Sequence, residues 1–487
     1  MNTADGYDAI PYDSVAFPES HPSRLGGMAR LCGFPASIPD QSRILELGCA
    51  SGGNLVPMAA SLPAAECVGV DFSERQIAAG RDWLKGLGLG NCTLLCGDIN
   101  AVSLEGEFDY IIAHGVYSWV DREPRDSLLT LIENKLAPSG VAYVSFNTLP
   151  GWYTRSVLRD FLLFYRRSAG LAEGDFSGLR TAFESLASQT PAPDSTYGRM
   201  LQESLKKLQS HNDSYLAHEH LEPTNEAVYF TEFAEHAARH GLAYVGEART
   251  LEGAGQGGDI GDMPAAAGEI ERQQYLDFLA GTQFRRAILC RAGAELGCDK
   301  QALASLYYGC VSAMQVRVAA DGKTEFAFDG GKAYFPPGPA CECLKQLAAA
   351  WPEYRSAEQL GASHDDLQAW TRAGILVPRL GGHAGPSRAS GERPLVAPLA
   401  REQAGSGRAV TNLRHENVQL GPFQRQLVPL LDGSRDAEAL SQWIAGLIKD
   451  GTMKVNHPDA GEDVSAQLLA AQLRVLAGMG LLVDPGS

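Results

Sequence analysis

Three carboxylates stand at the ends of three short apolar runs. Glu46 lies in Ile44-Leu45-Glu46-Leu47, Asp71 closes Cys67-Val68-Gly69-Val70-Asp71, and Asp98 follows Leu94-Leu95-Cys96-Gly97. The first run passes into a turn of small residues, Gly48-Cys49-Ala50-Ser51-Gly52-Gly53, ahead of a helix-like Leu55–Leu62. Such a turn lets a ligand lie against backbone N–H groups at a helix N-terminus. An acid at the strand end repels a pyrophosphate and suits a cation. The Asp71 carboxylate, 25 residues beyond Glu46, can accept both hydroxyls of a ribose. Asp98 can accept from an adenine amino group while Ile99 packs on the ring. Gly48, Ala50, Gly52 and Asn54 of the turn, Phe72 after Asp71, and His114 after a fourth run complete the candidate binding set.

S-adenosylmethionine combines these demands: an amino acid, a sulfonium and a ribose, with no phosphate. Here the chain resembles the class I S-adenosylmethionine-dependent methyltransferases, whose pattern is Glu/Asp-x-Gly-x-Gly-x-Gly. This sequence has Glu46-x-Gly48-x-Ala50-x-Gly52. Ala50 departs from the pattern and puts a positive φ at that position in question. Two alternatives stand beside this reading. Gly48-x-Ala50-x-x-Gly53 is a degraded nicotinamide-dehydrogenase fingerprint, and a cofactor fold can persist without catalysis.

The elements that must position these residues alternate between strand and helix over the first 150 residues, which predicts a parallel sheet covered on both faces. Strands are expected at Arg43–Leu47, Cys67–Asp71, Cys92–Cys96, Phe108–Ala113 and Gly140–Phe146, with a Ser73-capped helix after the second and a helix Pro124–Leu136 before the fifth. Residues 152–221 read as a helical insert, with Leu158, Phe161, Leu162 and Tyr165 at helical spacing and a break at Pro191-Ala192-Pro193. A helix Phe230–His240 leads to a sixth strand, Ala243–Ala248. A loose Gly253–Gly258 segment, a helix Glu271–Leu279 and a seventh strand, Phe284–Cys290, follow. The fold class is therefore α/β, a Rossmann-like seven-stranded sheet whose insert lies over the carboxyl edge, where open α/β sheets bind ligands. The domains read as a core over 1–151 and an insert and regulatory region completing the sheet over 152–299.

Beyond residue 300 two similar units recur, 300–380 and 410–487, joined by a Gly/Pro/Ser/Arg-rich linker at 381–409. Each reads as a small winged-helix-like unit with a closing strand, ending Gly374–Val377 in the first and Gly480–Val483 in the second. Val316–Phe328 around Asp321-Gly322 reads as a hairpin. Residues 1–299 carry 39 Asp+Glu against 23 Lys+Arg and hold nearly all of the net charge of −17. That field opposes nucleic acid and favours lysine-bearing polypeptides. The C-terminal units are almost neutral, so protein contact is expected of them rather than DNA binding.

At 487 residues several domains are expected. No apolar run approaches the ~18 residues of a membrane span, and the N-terminus shows neither the basic region nor the apolar core of a signal peptide. The ten cysteines include no Cys-x-x-Cys pair. Reduced thiols, a cytoplasmic location and no metal site are the expectation, with a homodimer possible.

Methyl transfer needs alignment and exclusion of water more than a covalent nucleophile. Aromatic residues follow strands four and five, in His114-Gly-Val-Tyr-Ser-Trp119 and Asn147-Thr-Leu-Pro-Gly-Trp152-Tyr153. Tyr117, Trp119, Asn147, Trp152 and Tyr153 are the candidate acceptor pocket. Tyr117 or Asn147 can orient a nucleophile, and His114 can act as base or pack beside the cofactor. The extended Pro11–Pro22 arm is a lid or a surface strap.

Several stretches taken together, Phe17–Pro22, Ala113–Val120, Ser145–Trp152, His218–Leu221 and Tyr275–Phe278, resemble bacterial methyltransferases that carry a methyltransferase regulatory domain. The rickettsial outer-membrane-protein lysine methyltransferases are among them. The resemblance implies S-adenosylmethionine as cofactor and a polypeptide lysine as acceptor; a small-molecule acceptor is the alternative.

Overall fold

Apolar β-formers bounded by turn residues build the sheet that carries the three acids. β1 is Arg43–Leu47, β2 Glu66–Asp71, β3 Cys92–Cys96, β4 Phe108–Ala113, β5 Leu136–Asn147, β6 Leu242–Glu247 and β7 Phe284–Arg291. They hydrogen-bond in the order β3-β2-β1-β4-β5-β7-β6. β1 to β5 are parallel, and β7 runs antiparallel to both β5 and β6. The computed structural model describes residues 14–172, 174–190, 192–210, 212–222, 224–249, 268–297, 303–381, 385–453 and 462–483. The expected Gly253–Gly258 segment, Pro191 and the first residues of the arm, Pro11 to Asp13, lie outside them.

Strands β1, β3 and β4 match the expected bounds. β5 starts four residues early because Leu136 pairs with Phe108 ahead of a register shift at Phe108/Tyr110. One face of the sheet is covered by the helices Pro22–Leu31, Leu55–Ser61 and Glu74–Leu87, around Leu25, Ile44, Leu55, Trp83 and Tyr143. Arg122–Lys135 and Phe230–Arg239 cover the other, around Leu45, Leu128, Phe146, Phe230 and Phe233. Ser73 caps the helix Glu74–Leu87 by accepting from Gln76 N, and Gly88, at φ 67°, ends it. Arg285 on β7 is fully buried. It bonds Asp277 at 2.9 Å and Glu247 at 2.6 Å and lies 4.0 Å from the Phe230 ring.

The insert has its own core of Leu158, Leu162, Leu179, Phe183, Leu201 and Leu216. Its first helix, Tyr153–Ala169, leaves the carboxyl end of β5. Arg155 on that helix donates to Gln283, one residue before β7, at 2.9 Å. The insert thus stands at the carboxyl edge of the sheet.

In the first C-terminal unit β8 (Leu306–Cys310) pairs with Arg355–Ser356 and with Leu376–Leu380, the expected closing strand. The expected hairpin forms from β9 (Gln315–Val318) and β10 (Thr324–Phe328), and β11 (Gly331–Phe335) extends it to three strands. The second unit departs from expectation in two respects. Among the described residues its closing segment makes only the isolated bridges Val396↔Leu482 and Pro386↔Val483. The stretch expected as a linker contains the helix Pro398–Ser406, whose Ala400 and Ala404 are buried in the core of this unit. Gly, Pro, Ser and Arg dominate 381–409 by count, but the apolar residues among them sit at helical spacing and find a face to pack on. Among the described residues no helix is long and apolar enough to cross a membrane.

Candidate cofactor site

The glycine turn is tied to β2 at its first residues. Gly48 N and Cys49 N donate to Val70 O at 2.8 and 3.1 Å. Gly48 and Gly52 take φ 76° and 80°. Ala50 takes φ 49°, so the left-handed conformation that its side chain put in question is present. Asp71 holds it there. Its Oδ2 accepts from Ala50 N at 2.8 Å, and its Oδ1 accepts from Ser73 N at 2.9 Å.

Glu46 is buried between Gly69 of β2 and Ile112 of β4. Its Oε1 accepts from Asn54 Nδ2 at 2.7 Å, while Oε2 has no hydrogen-bond partner among the described residues. Burial pushes the Glu46 carboxyl up to about 8; Asn54 opposes that shift and Asp71 adds to it. A buried carboxylate with one unsatisfied oxygen is costly unless a donor or cation reaches it.

The arm closes over this turn. Ser14 Oγ accepts from Gly53 N at 2.7 Å, and a Cβ on Gly53 would stand 2.1 Å from Ser14 O. Phe17 N donates to Asn54 Oδ1 at 2.8 Å, and the Phe17 ring stacks on His114 with centroids 3.6 Å apart. His114, at the end of β4, bonds Tyr143 OH at 2.9 Å. Burial, reinforced by Arg286, holds its imidazole down at about 3, so it is neutral and a poor base. Of the two roles expected for His114, the structure favours packing. Burial alone would raise the Glu19 carboxyl on the arm; Arg24, Arg286 and Arg249 outweigh it and hold Glu19 at about 2.

Asp98 is exposed at the end of β3 and accepts from Asn100 N and Nδ2 at 2.9 and 2.8 Å, with Ile99 half-buried beside it. Phe72 is 40% exposed next to Asp71. Glu46, the turn, Asn54, Asp71 and His114 stand at or just beyond the carboxyl ends of β1, β2 and β4; Phe72 follows Asp71 on β2, and Asp98 follows β3, two strands from β1.

The acceptor-side residues divide. Tyr117 is a core residue, not a pocket residue. Its ring packs against Phe146 and Phe233, and its hydroxyl meets His236 Nδ1 at 2.8 Å. Burial raises that phenol to about 12. His236 Nε2 in turn meets Asp126 at 2.7 Å, and His240 stands 3.5 Å from the same oxygen. These three are the group of described residues that can converge on a metal ion. Asn147 donates from Nδ2 to Asn225 Oδ1 at 2.9 Å and so ties β5 to the segment that follows the insert. Trp152 is buried with Arg155 over its ring at 5.3 Å. Trp119 is half-buried and Tyr153 is 56% exposed at the mouth of the insert.

Sequence reasoning missed one contributor altogether. His415, in the second C-terminal unit, meets Asn54 Oδ1 at 2.8 Å through Nε2. The polar run Asn412-Leu-Arg-His-Glu416 within an apolar unit was the only signal for it.

The site fits a cationic cofactor without phosphates. Carboxylates occupy the strand ends, and one buried oxygen awaits a donor. Family models agree in parts along the chain. Residues 44–140 match a methyltransferase domain, 212–291 a predicted methyltransferase regulatory domain, and 392–481 the C-terminal winged helix domain of PKMT. An uncharacterized protein of Rickettsia prowazekii is 35% identical over 58% of this chain and 52% of its own length, so the chain spans about half of that relative. A second uncharacterized protein of that organism is 31% identical over 48% of this chain and 94% of its own length. The structure of PKMT2 from Rickettsia typhi in complex with AdoHcy superposes with a TM-score of 0.81 over 97% of this chain and 100% of that one, at 22% identity. The chain belongs to the class I S-adenosylmethionine-dependent methyltransferases that carry a methyltransferase regulatory domain and a PKMT-type winged helix.

Proposed function

We propose that this protein transfers methyl groups from S-adenosylmethionine to lysine side chains of a polypeptide. The observation that carries the cofactor half is Glu46 Oε2, buried beside the glycine turn and without a hydrogen-bond partner among the described residues. Glu46 holds the amino-acid end, Asp71 the ribose hydroxyls and Asp98 the adenine edge. Phe17 and His114 close the rim and exclude water. The bound cofactor supplies the methyl group and its leaving sulfur.

Lysine as acceptor is supported by the PKMT winged-helix match and by the full-length likeness to PKMT2. The acidic first part of the chain suits a basic acceptor. Neutralising a lysine at neutral pH costs about 4 kcal/mol, and a water-excluding aromatic site lowers that cost. Trp119, Trp152 and Tyr153, between the sheet and the insert, are the aromatic groups we assign to this task, with Asn147 positioning the segment that frames them.

Labelled S-adenosylmethionine, the full chain and lysine-containing polypeptides test the reading. Label is expected in protein, with mass increments of one to three methyl groups on lysine. Label found only in small molecules overturns the lysine assignment, and a folded protein that transfers no label overturns the enzymatic one.

A further inference from the structure

Asn54 is the centre of a buried four-way junction. Its Nδ2 donates to Glu46 Oε1 at 2.7 Å and to Ser20 Oγ at 2.9 Å. Its Oδ1 accepts from Phe17 N at 2.8 Å and faces His415 Nε2 at 2.8 Å. Both amide hydrogens and both carbonyl lone pairs are then used. Because Nδ2 is committed to Glu46 and Ser20, the atom facing His415 is the oxygen. His415 must therefore carry its proton on Nε2 and donate.

The hairpin that delivers His415 is held firmly. Val410–Thr411 pairs with Asn417–Val418, and His415 sits at φ 62° in the turn between them. Arg414 beside it donates to Cys310 O at 2.7 Å and Pro352 O at 3.0 Å, which fixes the tip to the first C-terminal unit. Asn417 clasps the arm in both directions: Nδ2 donates to Ala16 O at 2.7 Å, and Ala16 N donates to Oδ1 at 3.3 Å. Two residues of the C-terminal hairpin thus touch the arm and the amide that orients Glu46. A unit that shares no strand with the cofactor sheet completes the wall of its site.

We propose that His415 is a positioning residue for the cofactor site and that the docked hairpin, through His415 and Asn417, sets cofactor affinity. This rests on the cofactor reading above. With His415 removed, Asn54 Oδ1 loses a buried donor, and the amide that fixes Glu46 Oε1 is held less tightly, by Phe17 N, Ser20 and Glu46 alone. With Asn417 removed, the arm loses its clasp. Chemistry at saturating cofactor does not depend on either contact, so the effect falls on cofactor binding and not on turnover.

The test is calorimetric titration of the full chain with S-adenosylhomocysteine, for wild type, His415→Ala, His415→Gln and Asn417→Ala, beside steady-state kinetics. His415→Ala is expected to raise Kd and the KM for S-adenosylmethionine about tenfold, the effect of one lost buried hydrogen bond. The acceptor KM and kcat stay within twofold. His415→Gln, which keeps an N–H donor, recovers most of the affinity. Asn417→Ala leaves the junction intact and raises Kd in the same direction, which keeps the test open should His415→Ala fold poorly. Wild-type binding with His415→Ala and Asn417→Ala both within twofold of it overturns the inference alone. Equal loss in His415→Gln and His415→Ala overturns the donor role. Wild-type protein that is folded and binds no S-adenosylhomocysteine overturns the cofactor reading and this inference with it.

Discussion

Ala50 N–H donates to Asp71 Oδ2 at 2.8 Å and is thereby held at φ 49°. A side chain in the left-handed region costs roughly 1–2 kcal/mol relative to glycine, and the charge-assisted bond from the neighbouring strand offsets it. The family pattern has glycine here, so the turn keeps its shape by a contact and not by composition. Ala50→Gly is expected to leave stability unchanged or raise it by up to ~1 kcal/mol. Asp71→Ala is expected to lower it by ~1–3 kcal/mol, since Ala50 and Ser73 N–H groups lose their acceptor together. Urea denaturation of both variants checks the pair.

The raised Glu46 carboxyl makes the stability of the unliganded protein depend on pH. An unfolded Glu titrates near 4.3, whereas burial pushes folded Glu46 up to about 8. The proton is bound more tightly in the folded state, so this group's stability contribution is complete below the unfolded value and is lost as pH rises through about 8. Glu46→Gln removes that slope. The melting temperature of Glu46→Gln minus that of wild type is expected to climb steadily from pH 5 to pH 8.5. A flat difference contradicts the burial of this acid.

Tyr117→Phe separates packing from catalysis. The hydroxyl bonds His236 on the far face of the sheet from the arm, so its loss is expected to cost about 1 kcal/mol of stability. Cofactor affinity and kcat stay within twofold of wild type. A large fall in kcat in a folded Tyr117→Phe variant returns this residue to the acceptor pocket.

The ion cluster around Arg285 is where the last two strands are most exposed to damage. Asp277→Ala leaves the fully buried guanidinium short of one carboxylate and is expected to cost about 3–5 kcal/mol. Chemical denaturation reads the loss.

The sheet was legible because its strands are apolar runs ended by turn residues, and three of the first five keep the bounds their composition implies. The acids at their ends were legible because strand direction alone carries them to one edge. Tyr117 was not. An aromatic just beyond a strand end can face the cleft or the core, and only the arrival of Phe233 and His236, more than a hundred residues later, turned it inward. The stretch 381–409 read as a linker because glycine and proline count is local, while the pocket that buries Ala400 and Ala404 is built by residues beyond 409. His415 was invisible for the same reason in stronger form: its partner Asn54 is 361 positions away, and a single sequence carries no record of that pairing.

The most direct measurement is the heat of titrating the folded, full-length chain with S-adenosylhomocysteine. Saturable one-to-one binding, weakened about tenfold or more by Asp71→Ala, is what the clasp of Glu46, Asp71 and Asp98 requires. No binding by the folded wild-type chain, or equal affinity in Asp71→Ala, contradicts it.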